Sequence, residues 1–439
     1  MESPPNNPDC QAKLIPAPGR EASALRAERL RARARERIDL EINNELALLA
    51  GREGHGPALE YFLNLLGQDL SPAALAERLG RKVVGLMCLQ VPLELFLALD
   101  LQPLRLYGGA LGAAKSAPPG LPALMCPLLR SLMGEMVKEP SLGRLDWVIP
   151  TTCDWVSGFE SLRELSFTDV GSARFVELPR RKENPQASER WLSEVAGLWE
   201  HLKKISGRKA GRRELLAAVA TMEAARSALG KLISLRRKGL VPAAYFFAIA
   251  YSFFFDSAQA WTKAVQGAAD HFAAGQAVDQ KTAPAGPAGT GPGLFLTGSP
   301  IVFPNFKLLH LLEELNLTVL GEDMCSGERL LFRHVAIKDT SEVGLLRALA
   351  ETTHDGCLCP VFVENRRRLG PIMEAVGEAP IKGVAFHLLK GCHPYEMDSL
   401  TLEAELLDNG VRFVRLETDY TPEDRGNLMT RLEAFKSTL

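Results

Sequence analysis

Short apolar runs alternating with helical segments predict an α/β chain: two doubly wound (Rossmann-like) parallel-sheet domains, a helical insert and an N-terminal helical segment. Three observations carry that prediction. Runs such as KVVGLMCLQVP (82–92) and IKGVAFHLLKGC (381–392) are nearly continuous in apolar residues, as buried parallel strands are. From Ser188 to Ala274 the pattern is helical throughout. A Pro-, Gly- and Ala-rich stretch, AVDQKTAPAGPAGTGPG (277–293), then separates this helical block from a second alternating series.

The elements follow in order. Residues 1–20 are rich in Pro and Asn and read as disordered; from Glu21 to about Leu49 a charged helix follows, and the whole N-terminal segment spans 1–74. The first α/β domain, 75–187, runs through the strand KVVGLMCLQVP, the helix ELFLALDL and the strand PLRLYG. It continues with the helix PALMCPLLRSLMGEMV, the strand LDWVIPTTCD, the helix GFESLREL and the strand ARFVELP. The helical subdomain occupies 188–276 and the flexible linker 277–293. GTGPG within the linker is a poor dinucleotide fingerprint, because it precedes a strand and contains proline.

The second α/β domain, 294–439, opens with the strand GLFLTGSP, the helix NFKLLHLLEEL and the strand LTVLGEDMC. Two helices follow, EVGLLRALAETT and NRRRLGPIMEAVG, and then the strand IKGVAFHLLKGC. SLTLEAELLDNG reads as a helix capped by Gly410, VRFVRLETD as a strand, and GNLMTRLEAFKSTL as a closing helix.

Composition narrows the function. The 439 residues are 46% hydrophobic and 24% charged with a formal net charge of -2, enough for two or three domains with their own cores. No basic domain is present, which argues against nucleic acid as a partner. The N-terminus lacks a basic-then-apolar signal pattern, so a cytoplasmic location is expected. LVPAAYFFAIAYSFFF, ending at Phe255, is shorter than the roughly 20 residues a span needs and reads as a buried or interface helix.

Eight cysteines in an intracellular chain point to metal or catalysis before disulfides. Cys153, Cys325 and Cys392 follow predicted strands, where open α/β sheets place their ligand sites. Cys126 opens a helix, and Cys357 and Cys359 sit in the loop HDGCLCP. Thiols at such places ionise more readily, because backbone N–H groups and the helix dipole favour the thiolate. Cys88, read as lying inside its strand, and Cys10, in the tail, fall outside this set. The spacing offers neither zinc-knuckle pairs nor a C-x-x-C redox pair, whereas iron–sulfur clusters gather thiolates from distant loops. Each cysteine taken alone reads as a small buried hydrophobe; it is their joint placement that points to a cluster.

The same segments carry a family likeness. GLFLTGSPIVFPNFKLLHLLEELNLTVLGEDMCSGERL and the stretch from IKGVAFHLLKGCHPYEMDSL to TRLEAF resemble the C-terminal domain of the 2-hydroxyacyl-CoA dehydratase and benzoyl-CoA reductase superfamily. VPLELFLALDLQPLRLYGG, MCPLLRSLMG and IPTTCD resemble its N-terminal domain, and the likeness runs over roughly residues 75 to 435. It implies one [4Fe-4S] cubane held by Cys126, Cys153 and Cys392. The additional Cys325, Cys357 and Cys359 resemble the double-cubane-cluster branch, which implies an [8Fe-9S] cofactor on six cysteines. Two departures stand out: PVFVEN where that branch has an FTPN-like run, and Asp100 where the family has Gly.

The resemblance further implies a homodimeric, oxygen-sensitive iron–sulfur oxidoreductase. It would reduce a small molecule with electrons from a separate ATP-hydrolysing [4Fe-4S] activator. The chain itself has no GxxxxGK[ST] loop. Glu322, Arg329, His354 and His393 are candidates for proton delivery or hydrogen bonding near the cluster, and Ser299 and Asn305 for substrate contact. Two alternatives stay open: a dehydratase or aromatic acyl-CoA reductase subunit with one cubane, and a scaffold that has lost the cluster.

Overall fold

The computed structural model describes residues 20–52, 56–105, 108–118, 120–122, 125–153, 155–164, 171–274, 291–331, 334–363 and 366–439. The expected disordered tail lies almost wholly outside them, as does the expected linker up to residue 290.

Two four-stranded, wholly parallel sheets form the frame. The first contains β1 (Lys82–Leu86), β2 (Leu101–Arg105), β3 (Trp147–Pro150) and β4 (Ala173–Val176), in the order β2-β1-β3-β4. The second contains β5 (Gly293–Gly298), β6 (Thr318–Glu322), β7 (Ile381–Leu389) and β8 (Arg412–Thr418), in the equivalent order β6-β5-β7-β8. Each sheet therefore reverses direction between its first and third strands, and the crevice outside the carboxyl ends at that reversal is where doubly wound sheets hold ligands. The predicted pair of parallel-sheet units is what the chain forms.

Several strand limits differ from the sequence reading. β2 begins at Leu101, ahead of the expected PLRLYG, and includes Pro103 opposite Val84. Proline has no N–H to give a ladder, but β2 is an edge strand with only β1 beside it. β1 ends at Leu86, so Cys88 is not inside a strand but in the loop beyond it. Gly293, the last residue of the expected linker, already opens β5.

Four helices of the insert, Ala187–Ser206, Arg212–Arg237, Ala243–Tyr251 and Ala258–Ala274, pack across both sheet units. Trp191 donates to Thr353 Oγ1 at 3.1 Å and Trp199 to Glu342 Oε1 at 2.7 Å, which fixes the helix Ala187–Ser206 on the helix Glu342–His354 of the second unit. Within the apolar run ending at Phe255, Ala243–Tyr251 form a helix and Ser252–Phe255 a 3-10 turn, all of them buried. Among the described residues no helix is long and apolar enough to cross a membrane. One contiguous core joins these layers, with Trp147, Trp191, Trp199 and Trp261 fully buried in it.

The N-terminal helix Arg20–Ala50 closes over the first unit. Its Glu41 accepts the N–H groups of Leu111 (2.7 Å) and Gly112 (2.6 Å), the first residues of the helix Leu111–Ser116. Asp100 has a left-handed backbone, φ 54°, at the turn between the helix Glu94–Ala98 and β2. An aspartate tolerates that conformation better than most residues, and here its carboxylate pairs with Arg81 at 2.7 Å and with Arg208. The departure from glycine is thus offset by two ion pairs.

Candidate functional site

The loops beyond the carboxyl ends of both sheets meet in one cavity. Its wall includes seven cysteines: Cys88, Cys126, Cys153, Cys325, Cys357, Cys359 and Cys392. The six predicted from sequence come together, and Cys88 joins them. Cys10 lies outside the described residues. All seven described cysteines are free thiols, with Cys357, Cys359 and Cys392 buried and the others partly so.

Local sequence explains the placement. Cys126 and Cys392 are the N-cap residues of the helices Pro127–Lys138 and His393–Asp408, each with a proline in the first turn. Proline there has a preset φ and gives up an N–H that the helix does not use. The backbone N–H groups that remain favour the thiolates: those of Leu128 and Leu129 act on Cys126, and that of Tyr395 on Cys392. Cys153 and Cys325 each stand three residues past a strand, β3 and β6, and Cys88 two past β1. Cys357 and Cys359 follow the helix Glu342–His354, whose N-cap Ser341 accepts from Gly344 at 3.1 Å.

The loop that carries Cys325 is held from below. Glu322 is 1% exposed and accepts the N–H groups of Met324 and Glu328, with Arg236 3.5 Å away. A Cβ at Gly327 would stand 2.1 Å from the Glu322 carboxylate, so only glycine leaves room for this closure. Burial pushes the Glu322 carboxyl up to about 8, with Arg236 opposing. Ser299 is likewise committed. It is fully buried, its Oγ accepts the Leu389 N–H at 3.1 Å, and it hydrogen-bonds Cys392.

The electrostatics are those of crowded thiols. Cys126 and Cys392 share a hydrogen bond that lowers Cys126 and raises Cys392, so one proton serves the pair. Burial, then the neighbouring Cys359 and Cys392, push the Cys153 thiol well up; burial and Cys357 push Cys359 up. Two guanidiniums face this crowd. Arg105 donates to Cys325 Sγ at 3.4 Å and to its carbonyl at 3.0 Å. Arg329, 8% exposed, donates to Tyr395 Oη at 2.7 Å, while its buried Nε has no hydrogen-bond partner. Gln90 donates to Cys357 Sγ from across the two units.

The other sequence candidates lie elsewhere. His354 is fully buried but behind the loop, with Nε2 on the Pro179 carbonyl (2.9 Å), Nδ1 on Asp355 (2.8 Å) and its ring stacked on Trp191. His393 is 65% exposed at the side chain and faces Glu396 at 3.7 Å. Asn305 donates to the Tyr420 carbonyl at 3.4 Å. None of the three lines the cavity. Sequence reasoning missed Cys88, Gln90, Arg105 and Tyr395. Gln90 and Arg105 are polar residues embedded in apolar runs just at strand ends, a pattern that could have marked them.

Among the described residues no set of three or more His, Cys, Asp or Glu side chains converges to hold a single metal ion. A polynuclear cluster asks for something different: soft thiolates spread over several irons, with N–H donors toward its sulfides. The donor set fits that demand. Among the described residues the wall offers seven sulfurs, an unpaired guanidinium N–H and no carboxylate or imidazole. Thiols that resist ionisation beside one another become thiolates once a bound cation supplies the opposite charge.

Among known proteins the chain is similar to dehydratase components. The family model described as 2-hydroxyglutaryl-CoA dehydratase, D-component, matches residues 88–439. "Putative dehydratase subunit YjiM" of Escherichia coli is 27% identical over 373 residues, 81% of this chain and 91% of the relative. The (R)-phenyllactyl-CoA dehydratase beta subunit of Clostridium sporogenes is 23% identical, covering 83% of this chain and 93% of its own. The (R)-2-hydroxyglutaryl-CoA dehydratase subunit beta of Acidaminococcus fermentans is also 23% identical, over 82% and 93%.

Proposed function

The chain belongs to the 2-hydroxyglutaryl-CoA dehydratase D-component family, and from that premise we propose that it is an iron–sulfur reductase component. In this reading the cysteine cavity holds iron at the load of two cubanes and serves ATP-dependent, low-potential reduction of a small molecule. Electrons come from a separate ATP-hydrolysing iron–sulfur activator, and the chain works as a cytoplasmic homodimer. One observation carries the reading: the wall has seven thiols, more than twice the three that one dehydratase-type cubane takes, and all stand in loops after strands or helices or at helix N-termini.

A thiolate-bound iron–sulfur cluster supplies one-electron chemistry at a potential set by charge, hydrogen bonds and solvent exposure. The chain's own residues set those three terms. Arg105, Arg329 and Gln90 bring positive charge and N–H donors to the sulfurs. Leu89, Leu128, Leu129, Pro300 and Pro394 form the apolar part of the wall and limit solvent exposure there. Tyr395, held by Arg329, presents a hydroxyl at the wall that can pass a proton to a bound molecule.

A second reading, a dehydratase subunit with one cubane on Cys126, Cys153 and Cys392, is favoured by the names of the relatives. Metal analysis of the anaerobically purified chain separates the two: iron for two cubanes supports the reductase reading, and iron for one supports the dehydratase reading. Absence of iron would leave the scaffold.

A further inference from the structure

Cys88 is the thiol that the family pattern leaves unused, and its surroundings give it a set. Resting on the cluster reading above, we propose that Cys88 is the fourth thiolate of a group with Cys325, Cys357 and Cys359. The chain then holds two cubanes of unequal ligation. One is closed by four cysteines; the other, on Cys126, Cys153 and Cys392, keeps an iron position open.

Three contacts support this division, with Cys153, which interacts electrostatically with Cys359, Cys88 and Cys325 as well as with Cys392, standing between the two groups. Arg105 donates to Cys325 Sγ at 3.4 Å, and the same guanidinium stands beside Cys88. Gln90, two residues after Cys88, donates to Cys357 Sγ, so the loop after β1 is seated directly on the loop of the Cys-x-Cys pair. Cys359 in turn interacts electrostatically with Cys357 and with Cys88. On the other side Cys126 and Cys392 hydrogen-bond each other, with Cys153 as the next charge. A second feature points to a ligand at the Cys88 side. Arg329 is 8% exposed, lines the cavity with an unpaired Nε, and interacts with Cys325 and Cys359.

The chemistry makes the division consequential. Each iron of a cubane takes one terminal ligand, and four cysteines complete the set. A closed cubane of this kind only stores and passes an electron. Three cysteines leave one iron able to take a substrate atom. Six thiols force the two cubanes to share an inorganic sulfide, as the double-cubane resemblance implies; a seventh removes that need. Electron entry and substrate binding would then be assigned to different thiol groups of one cavity.

The test uses the full chain purified anaerobically with its clusters, as wild type and as Cys88→Ala. Native mass spectrometry of the wild type is expected to show about eight irons and an equal number of sulfides. Cys88→Ala is expected to lose about half of the iron while keeping the reduced-state EPR signal of the remaining cubane. Should the variant fold poorly, alkylation of the wild type reads the same point: Cys88 stays unlabelled until iron is chelated, as the six other thiols do. One sulfide in excess of iron, with Cys88 labelled in the loaded protein, overturns the assignment and leaves a bridged double cubane standing. A wild type without iron overturns the cluster reading itself and this inference with it.

Discussion

The Arg329 guanidinium donates to the Tyr395 hydroxyl at 2.7 Å, and both side chains form the wall of the cysteine cavity. The charge on Arg329 stands beside Cys325 and Cys359 and offsets negative charge gathered on thiolates. Arg329→Met removes that charge and the hydrogen bond to Tyr395 Oη. The expected result is a loss of about 2 kcal/mol in the metal-free chain, the size of a hydrogen bond to a charged group. A bound cluster should become harder to reduce in an EPR-monitored titration, with Arg329→Lys recovering part of the potential. Equal potentials in all three proteins would remove Arg329 from the account.

Beneath this wall lies a second buried network. Arg368 is 1% exposed and donates to Asp323 at 2.7 Å and to Thr297 at 2.6 Å, and it also pairs with Asp398. Burial alone would raise the Asp323 carboxyl, but Arg368 and Arg329 hold it below its ordinary value. Removing the shared cation strands two carboxylates. Arg368→Met is therefore expected to cost about 3–5 kcal/mol, read from urea unfolding of the metal-free chain. A midpoint equal to that of the wild type would show that the network contributes nothing.

Glu135 gives the chain a pH dependence away from the cysteines. It lines a separate cavity of about 550 Å³ with Asp39 and Lys138. Burial pushes its carboxyl up to about 7, Lys138 opposes, and Asp39 and Glu41 add to the rise. The unfolded chain releases this proton at about 4.3. Between those values the folded chain binds more protons, so the contribution of Glu135 is most favourable below the lower value and declines as pH rises toward 7. Glu135→Gln should flatten this part of the stability profile and raise Tm by a few degrees at pH 8 while changing little at pH 4. An unaltered slope in thermal scans from pH 4 to 8 would count against it.

The absence of a GxxxxGK[ST] loop makes a simple biochemical prediction. The pure chain should neither hydrolyse ATP nor turn over with weak electron donors, and addition of an ATP-hydrolysing iron–sulfur partner should start turnover. ATP hydrolysis that co-purifies with the chain through every step would contradict the partner model.

Much of the fold was legible because buried parallel strands announce themselves as apolar runs, as in β5 and β7. Their ends were less so. KVVGLMCLQVP is apolar past Leu86, and periodicity cannot show that the chain leaves the sheet there. That single ambiguity hid Cys88 from the site. The helices Pro57–Leu66, Pro72–Leu79 and Leu111–Ser116 also went unread; they are short, and tertiary packing decides whether such segments form. Six thiols were legible by position after predicted elements. His354 and His393 were near in sequence to those thiols, but sequence proximity does not tell which way a side chain turns. His354 turns to the Pro179 carbonyl and His393 to solvent.

The most direct test of the central claim is the count of iron and acid-labile sulfide in the chain purified without oxygen. The cavity with its seven cysteines predicts about eight irons per chain, the load of two cubanes. It also predicts a fall in that count when Cys359 is replaced by serine. A wild-type count of about four, unchanged in Cys359→Ser, would contradict the claim and return the site to one cubane on Cys126, Cys153 and Cys392.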